Sequence, residues 1–102
     1  MVEPVSNNDD VYNKPTEFKL NQNYPNPFNP KTIIKFELPA ASYVSQKVYN
    51  LLGQEIATLI TRELSAGYHE TSFDGLRLPS GVYLYRIQAG EFIQTKKMIL
   101  LK

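Results

Sequence analysis

The chain has no cysteine, no tryptophan and a single histidine, His69, among 102 residues. Without cysteine it forms neither a disulfide nor a thiolate metal site. That absence leaves the compartment open, because exported domains also do without disulfides. Strong net charge is missing as well: 11 basic residues face 10 acidic ones, for a formal charge of +1. Such balance gives no basis for binding nucleic acid or anionic lipid. No apolar run approaches the roughly 18 residues of a spanning helix, so no membrane span is expected. The opening from Val2 to Asp10 has neither the basic nor the apolar region of a secretory leader. The chain reads as one soluble domain cut from a longer protein, near the small end of what a single core stabilises.

Catalytic chemistry is also sparse. His69 has no second histidine and no cysteine to share a metal with, and it reads as a surface or rim residue. Asp74 precedes Gly75, where its carboxylate is expected to cap a turn. No G-x-S-x-G elbow and no glycine-rich phosphate loop occurs. Asn7-Asn8-Asp9-Asp10 lacks the spacing and the distal glutamate of a calcium loop. No catalytic residue, metal or cofactor is expected. Tyr43, Tyr49, Tyr68, Tyr83 and Tyr85 admit two readings, a stacking platform for sugar or the filling of a β-sandwich. The second is favoured.

What is present is proline in one place and alternation in many. Tyr24-Pro25-Asn26-Pro27-Phe28-Asn29-Pro30 packs three prolines into six residues. Each removes a backbone donor and biases the preceding residue toward extended geometry, which excludes a helix or a central strand. The run is expected to be a stiff, extended lead into a strand over 32–38, with Ile34, Phe36 and Leu38 on one face. Residues 1–19 have linker composition, although Phe18 and Leu20 suit a short edge strand, and the domain proper is expected over 20–102.

A second strand is predicted over 43–49, with Val44, Gln46 and Val48 on one face; Gln46 marks either a defect in the pattern or a sheet-edge position. Asn50 to Gln54 is a turn in which Gly53 takes a positive φ. Residues 55–60 fit both periods, and strand is favoured because three are β-branched and no helix cap precedes them. A longer connection is expected over 61–67, then strands over 68–73 and 82–88, the latter with Tyr83, Tyr85 and Ile87 on one face. Ala89-Gly90-Glu91 closes a hairpin into a last strand over 92–101. About seven short strands and no helix indicate an antiparallel β-sandwich of immunoglobulin-like type.

The segment from Asn23 to Thr32 resembles the opening of the type A C-terminal sorting domain of the type IX (Por) secretion system. Four further passages fit that pattern in order: Val48 to Ile56, Ser65 to His69, Leu78 to Arg86, and Lys96 to Lys102. Phe73 stands where the family often has tryptophan, Asn50 where aspartate is common, and Gln46 where an apolar residue is usual.

The resemblance implies a non-catalytic signal at the end of a cargo protein of Bacteroidota-like bacteria, fused to an N-terminal cargo domain. Such a protein passes through the periplasm and is then secreted or held at the cell surface. The implied partners are the type IX translocon and its shuttle proteins, and a sortase-like peptidase cutting upstream, where residues before Leu20 offer an accessible strand. Pro79, Gly81, Val82, Tyr83, Gly90, Lys96 and Lys97 correspond to the family's C-terminal motifs. Lys96, Lys97 and Lys102 are expected to give the last strand a local positive charge that meets acidic groups. The proline run is also similar to the immunoglobulin-like domain of flagellar hook-capping proteins, which implies a scaffold role. A carbohydrate-binding module of a secreted hydrolase is a third reading.

Overall fold

The computed structural model describes residues 14–102, and most of the expected linker lies outside them. Among the described residues there are seven strands and no helix: β1 (Lys19–Leu20), β2 (Lys31–Leu38), β3 (Ser42–Tyr49), β4 (Glu55–Leu64), β5 (Gly67–Asp74), β6 (Gly81–Ala89) and β7 (Phe92–Leu100). One sheet has the order β1-β2-β5 and the other β4-β3-β6-β7, with every strand pair antiparallel. The expected all-β sandwich is the fold found.

Its core follows from the period of two. Ile34, Phe36 and Leu38 of β2 meet Val44 and Val48 of β3, Tyr83, Tyr85 and Ile87 of β6, and Met98 and Leu100 of β7, all buried in one cluster. Each large side chain so buried contributes about 1.5–3 kcal/mol. Phe18 lies just before β1 and stacks on Phe92 at the start of β7, with centroids 5.2 Å apart. Lys19 pairs with Glu37, so the chain arrives beside the end of β2 and the start of β7. At the opposite end β2 begins, β5 and β7 finish, and the β3–β4 hairpin turns, as the pairings Lys31↔Asp74, Gly81↔Leu100 and Tyr49↔Glu55 require.

Three local expectations are corrected. The proline run is not an extended lead. It folds back on itself, because Tyr24 and Ile33 exchange two backbone hydrogen bonds of 2.9 Å. Each proline removes the donor at its own position but leaves Phe28 and the flanks of the run free to pair. The second correction concerns 61–67, where β4 continues through Leu64 and only Ser65 and Ala66 connect it to β5. Thr61, Arg62 and Glu63 are exposed yet paired with β3, since an edge strand tolerates polar residues provided one side of its backbone is bonded.

The third is Gln46. It is fully buried in β3, which has β4 on one side and β6 on the other, so it is not at a sheet edge. Its Oε1 accepts a 2.6 Å hydrogen bond from the Thr71 hydroxyl across the sandwich, while its Nε2 has no protein partner. The amide joins the two sheets through one satisfied oxygen.

Candidate functional site

The motif residues collect on the terminal hairpin and on the proline loop packed against it. At the start of β6, Tyr83 is buried and its hydroxyl donates a 2.6 Å bond to the Pro79 carbonyl. This closes the Pro79-to-Tyr83 passage on itself, with Gly81 beside Leu100, Val82 beside Ile99 and Tyr83 beside Met98. Gly90, with φ of 61°, makes the tight turn at the other end of the same hairpin. It is therefore remote from the other motif residues, and it serves the turn.

The loop from Asn23 to Pro30 seats on the end of β7. Phe28 is buried, and its ring meets Phe73 edge-on at 6.1 Å. Its backbone N–H donates to Ile99 and its carbonyl accepts from Leu101, at 2.9 and 3.0 Å. Asn26 Oδ1 accepts from the Ile99 N–H at 2.9 Å. The Pro30 carbonyl accepts from Gly75 at 2.8 Å. Gly75 is needed there, because an added Cβ would lie 2.9 Å from Leu100 Cδ2 and 3.4 Å from Phe28 Cε2. Tyr24, Pro25, Pro27 and Asn29 are exposed on the outside of this loop.

Residues other than the named site positions hold the loop in place. Asn23 is buried; its Nδ2 donates to the Pro25 carbonyl at 3.1 Å and to Thr32 Oγ1 at 3.0 Å. The Tyr85 hydroxyl accepts from the Asn23 N–H at 2.8 Å and donates to the Asn21 carbonyl at 2.7 Å. Burial pushes the Tyr85 hydroxyl up to about 12, against the opposing effect of the Asn23 hydrogen bond. Gln22 Nε2 donates to the Lys97 carbonyl. Sequence reasoning missed Gln22, Asn23, Thr32 and Tyr85 as parts of this joint. The one signal for them was that polar Asn23 and Thr32 flank the proline run on either side.

The three lysines do not form one patch. Lys97 is exposed on the outer face of β7, Lys96 is half-buried on the row that faces inward, and Lys102 lies beyond the strand. The Lys102 backbone donates to Ser80 Oγ at 3.0 Å, and its ammonium donates to the Leu76 carbonyl. Lys102 thus joins the Pro79-to-Tyr83 passage to the turn after β5. In that turn Asp74 Oδ1 accepts from the Leu76 N–H at 2.9 Å, as expected of a turn cap.

Nor do the tyrosines form one platform. Tyr83 and Tyr85 are buried, Tyr43 and Tyr68 are exposed on different sheets, and Tyr49 lies beneath the Arg86 guanidinium at 5.3 Å from its ring centroid. His69 stacks on Phe36 at 5.4 Å, with Nε2 2.8 Å from the Ser65 carbonyl. Among the described residues no cluster of three or more His, Asp or Glu side chains could hold a metal. The Glu55 carboxyl is held below its usual range by the Thr58 hydroxyl and by Lys47, which pairs with it at 3.1 Å.

No curated protein matches the chain significantly. Among solved structures, it is similar to PorZ of Porphyromonas gingivalis, an essential bacterial surface component of the type-IX secretion system. The TM-score is 0.56 and the identity 16%, over 83% of this chain and 11% of that one. That likeness supports the fold, and this chain spans about a ninth of the PorZ length. A family model described as "Secretion system C-terminal sorting domain" matches residues 22–101, from the residue before Asn23 to Leu101, the whole joined unit of proline loop, sandwich and terminal hairpin. The chain therefore belongs to the C-terminal sorting domain family of type IX (Por) secretion.

Proposed function

We propose that this domain is the export address of a cargo fused ahead of the polar segment 1–19, read by the type IX translocon and its shuttle proteins as a folded sandwich. In this reading the cargo transits the periplasm and ends secreted or at the cell surface. A sortase-like peptidase cuts upstream of Leu20 and leaves the sandwich intact. The domain acts as a signal and carries no chemistry of its own.

The observation that supports this most is the joint between the two matched motifs. The proline loop and the Pro79-to-Tyr83 passage lie more than 45 residues apart, yet both close on the last residues of β7. A receptor meeting that end would meet both motifs together. Lys97 and Lys102 supply its charge, whereas Lys96 faces the other way.

A reporter fused ahead of the full 102-residue chain, expressed in a bacterium with a type IX system, tests the reading. Export is expected to be lost when β7 is deleted and reduced several-fold by K97Q/K102Q. A reporter that reaches the medium equally well without β7 would sink the proposal. No observation favours the hook-cap or carbohydrate-binding alternatives.

A further inference from the structure

The chain is held to the sandwich before its first strand begins. Pro15 is buried, whereas Thr16 and Glu17 beside it are exposed. The backbone bends at Lys14, Thr16 and Glu17. Phe18 then stacks on Phe92 with the ring planes only 13° apart, and both rings pack against the core. Leu20 is buried and paired with Phe36, and the Asn21 N–H donates to the Lys35 carbonyl at 2.9 Å. Pro15, Phe18 and Leu20 thus fix the incoming chain in turn.

The terminal hairpin places Phe92 for this contact. Phe92 faces Ala89 across the Gly90-Glu91 turn and stands first on the inward row of β7. It is only half-buried, and Phe18 covers one face of its ring. Aromatic pairs at this separation attract beyond the area they bury. Gly90, remote from the other motif residues, therefore makes the turn that sets Phe92 opposite the incoming chain. A protease needs its substrate as an extended, accessible strand. A bent segment anchored on both sides of Glu17 must first open locally, and cutting then follows the population of the open form.

We propose that Pro15, Phe18 and Phe92 form a clasp that closes residues 15–19 to proteolysis, so that the processing cut falls on the amino-terminal side of Pro15. This rests on the sorting reading above and narrows its cleavage site. In that cut the peptidase breaks one peptide bond, water supplies the new carboxyl of the cargo, and the domain leaves with a new amino group. The sandwich keeps its lead-in, and Phe92 stays covered. Polar composition makes the whole of 1–19 look like linker; the clasp divides it at Pro15.

Glu-C endopeptidase, which cuts after glutamate, reads the clasp at the Glu17–Phe18 bond of the purified 102-residue chain. Mass spectrometry is expected to show that bond cut about tenfold or more slowly in the native chain than in urea. F92A leaves the sequence around the bond unchanged and is expected to speed its cutting roughly tenfold, with Glu63 and Glu70 in the strands still protected. P15A loosens the other anchor without touching the sandwich, and serves if F92A exposes Glu63 and Glu70 as well. Native cutting at Glu17 as fast as in urea, or acceleration in neither variant, would overturn the clasp. In cells, the reporter released from the fusion above is expected to end at or before Lys14. A reporter that ends between Pro15 and Lys19, or is exported uncut, would overturn the assignment of the cut. Export that survives deletion of β7 would instead overturn the sorting reading, while protection of Glu17 in the purified chain would stand.

Discussion

Two loops share one end of the sandwich and are held rigid by opposite means. The proline loop from Asn23 to Pro30 is fixed from outside: Phe28 is buried, and its backbone is bonded to Ile99 of β7 and to Leu101 just after it. The tip from Asn50 to Gln54 is fixed from within, by the Asn50 side chain bonding its own turn, and both its leucines face water. The first loop therefore belongs to the stability of the whole domain. The second belongs to its surface and can be altered without unfolding it. Holding the fold together and shaping its surface are thereby kept on separate loops.

The comparison breaks most visibly at Phe28. F28A removes a buried ring and is expected to cost about 3–5 kcal/mol, read as a fall in the urea midpoint. A loss under about 1 kcal/mol would mean that the loop is not part of the core. Next comes Tyr85, whose hydroxyl ties β6 to Asn21 and Asn23. Y85F leaves those two backbone groups without that partner and is expected to cost about 1–3 kcal/mol.

The same tyrosine sets a pH dependence with a definite sign. Its folded value is raised above the ordinary value of 10.0 to about 12, so the fold favours the neutral hydroxyl. The corresponding stability is full below pH 10 and is lost as pH rises from 10 to 12. Urea titrations across that window should show the loss in wild type and a shallower one in Y85F. The smallest effect is expected from N50A, below about 1 kcal/mol in global stability, together with faster amide exchange at Leu52 and Gln54. A large global loss there would erase the distinction between the loops.

The strands were legible because each has one wet face, so Ile34, Phe36 and Leu38, or Tyr83, Tyr85 and Ile87, announce themselves by alternation. That same period places Lys96 and Lys97 on opposite faces of β7. The return of the proline loop was not legible. Proline chemistry says what the run cannot do, but its destination depends on a seat made by Phe73, Gly75 and Leu100, far along the chain. Gln46 was illegible for a related reason, since its partner Thr71 lies 25 residues away on the other sheet. The Asn50 turn was local and could be read; that its leucines find no cover could only be seen once the surface existed.

The seat of Phe28 has a consequence for when the domain comes into being. Its walls come from the turn after β5 and from the far end of β7, so the earliest-made part of the fold waits for the latest. Synthesis runs in one direction while closure demands both extremities at once. Contacts of such long separation form late and together. An interrupted copy, lacking its final strand, has neither a sealed interior nor a docked loop to display. Sealing of the interior and docking of the loop thus become a single event.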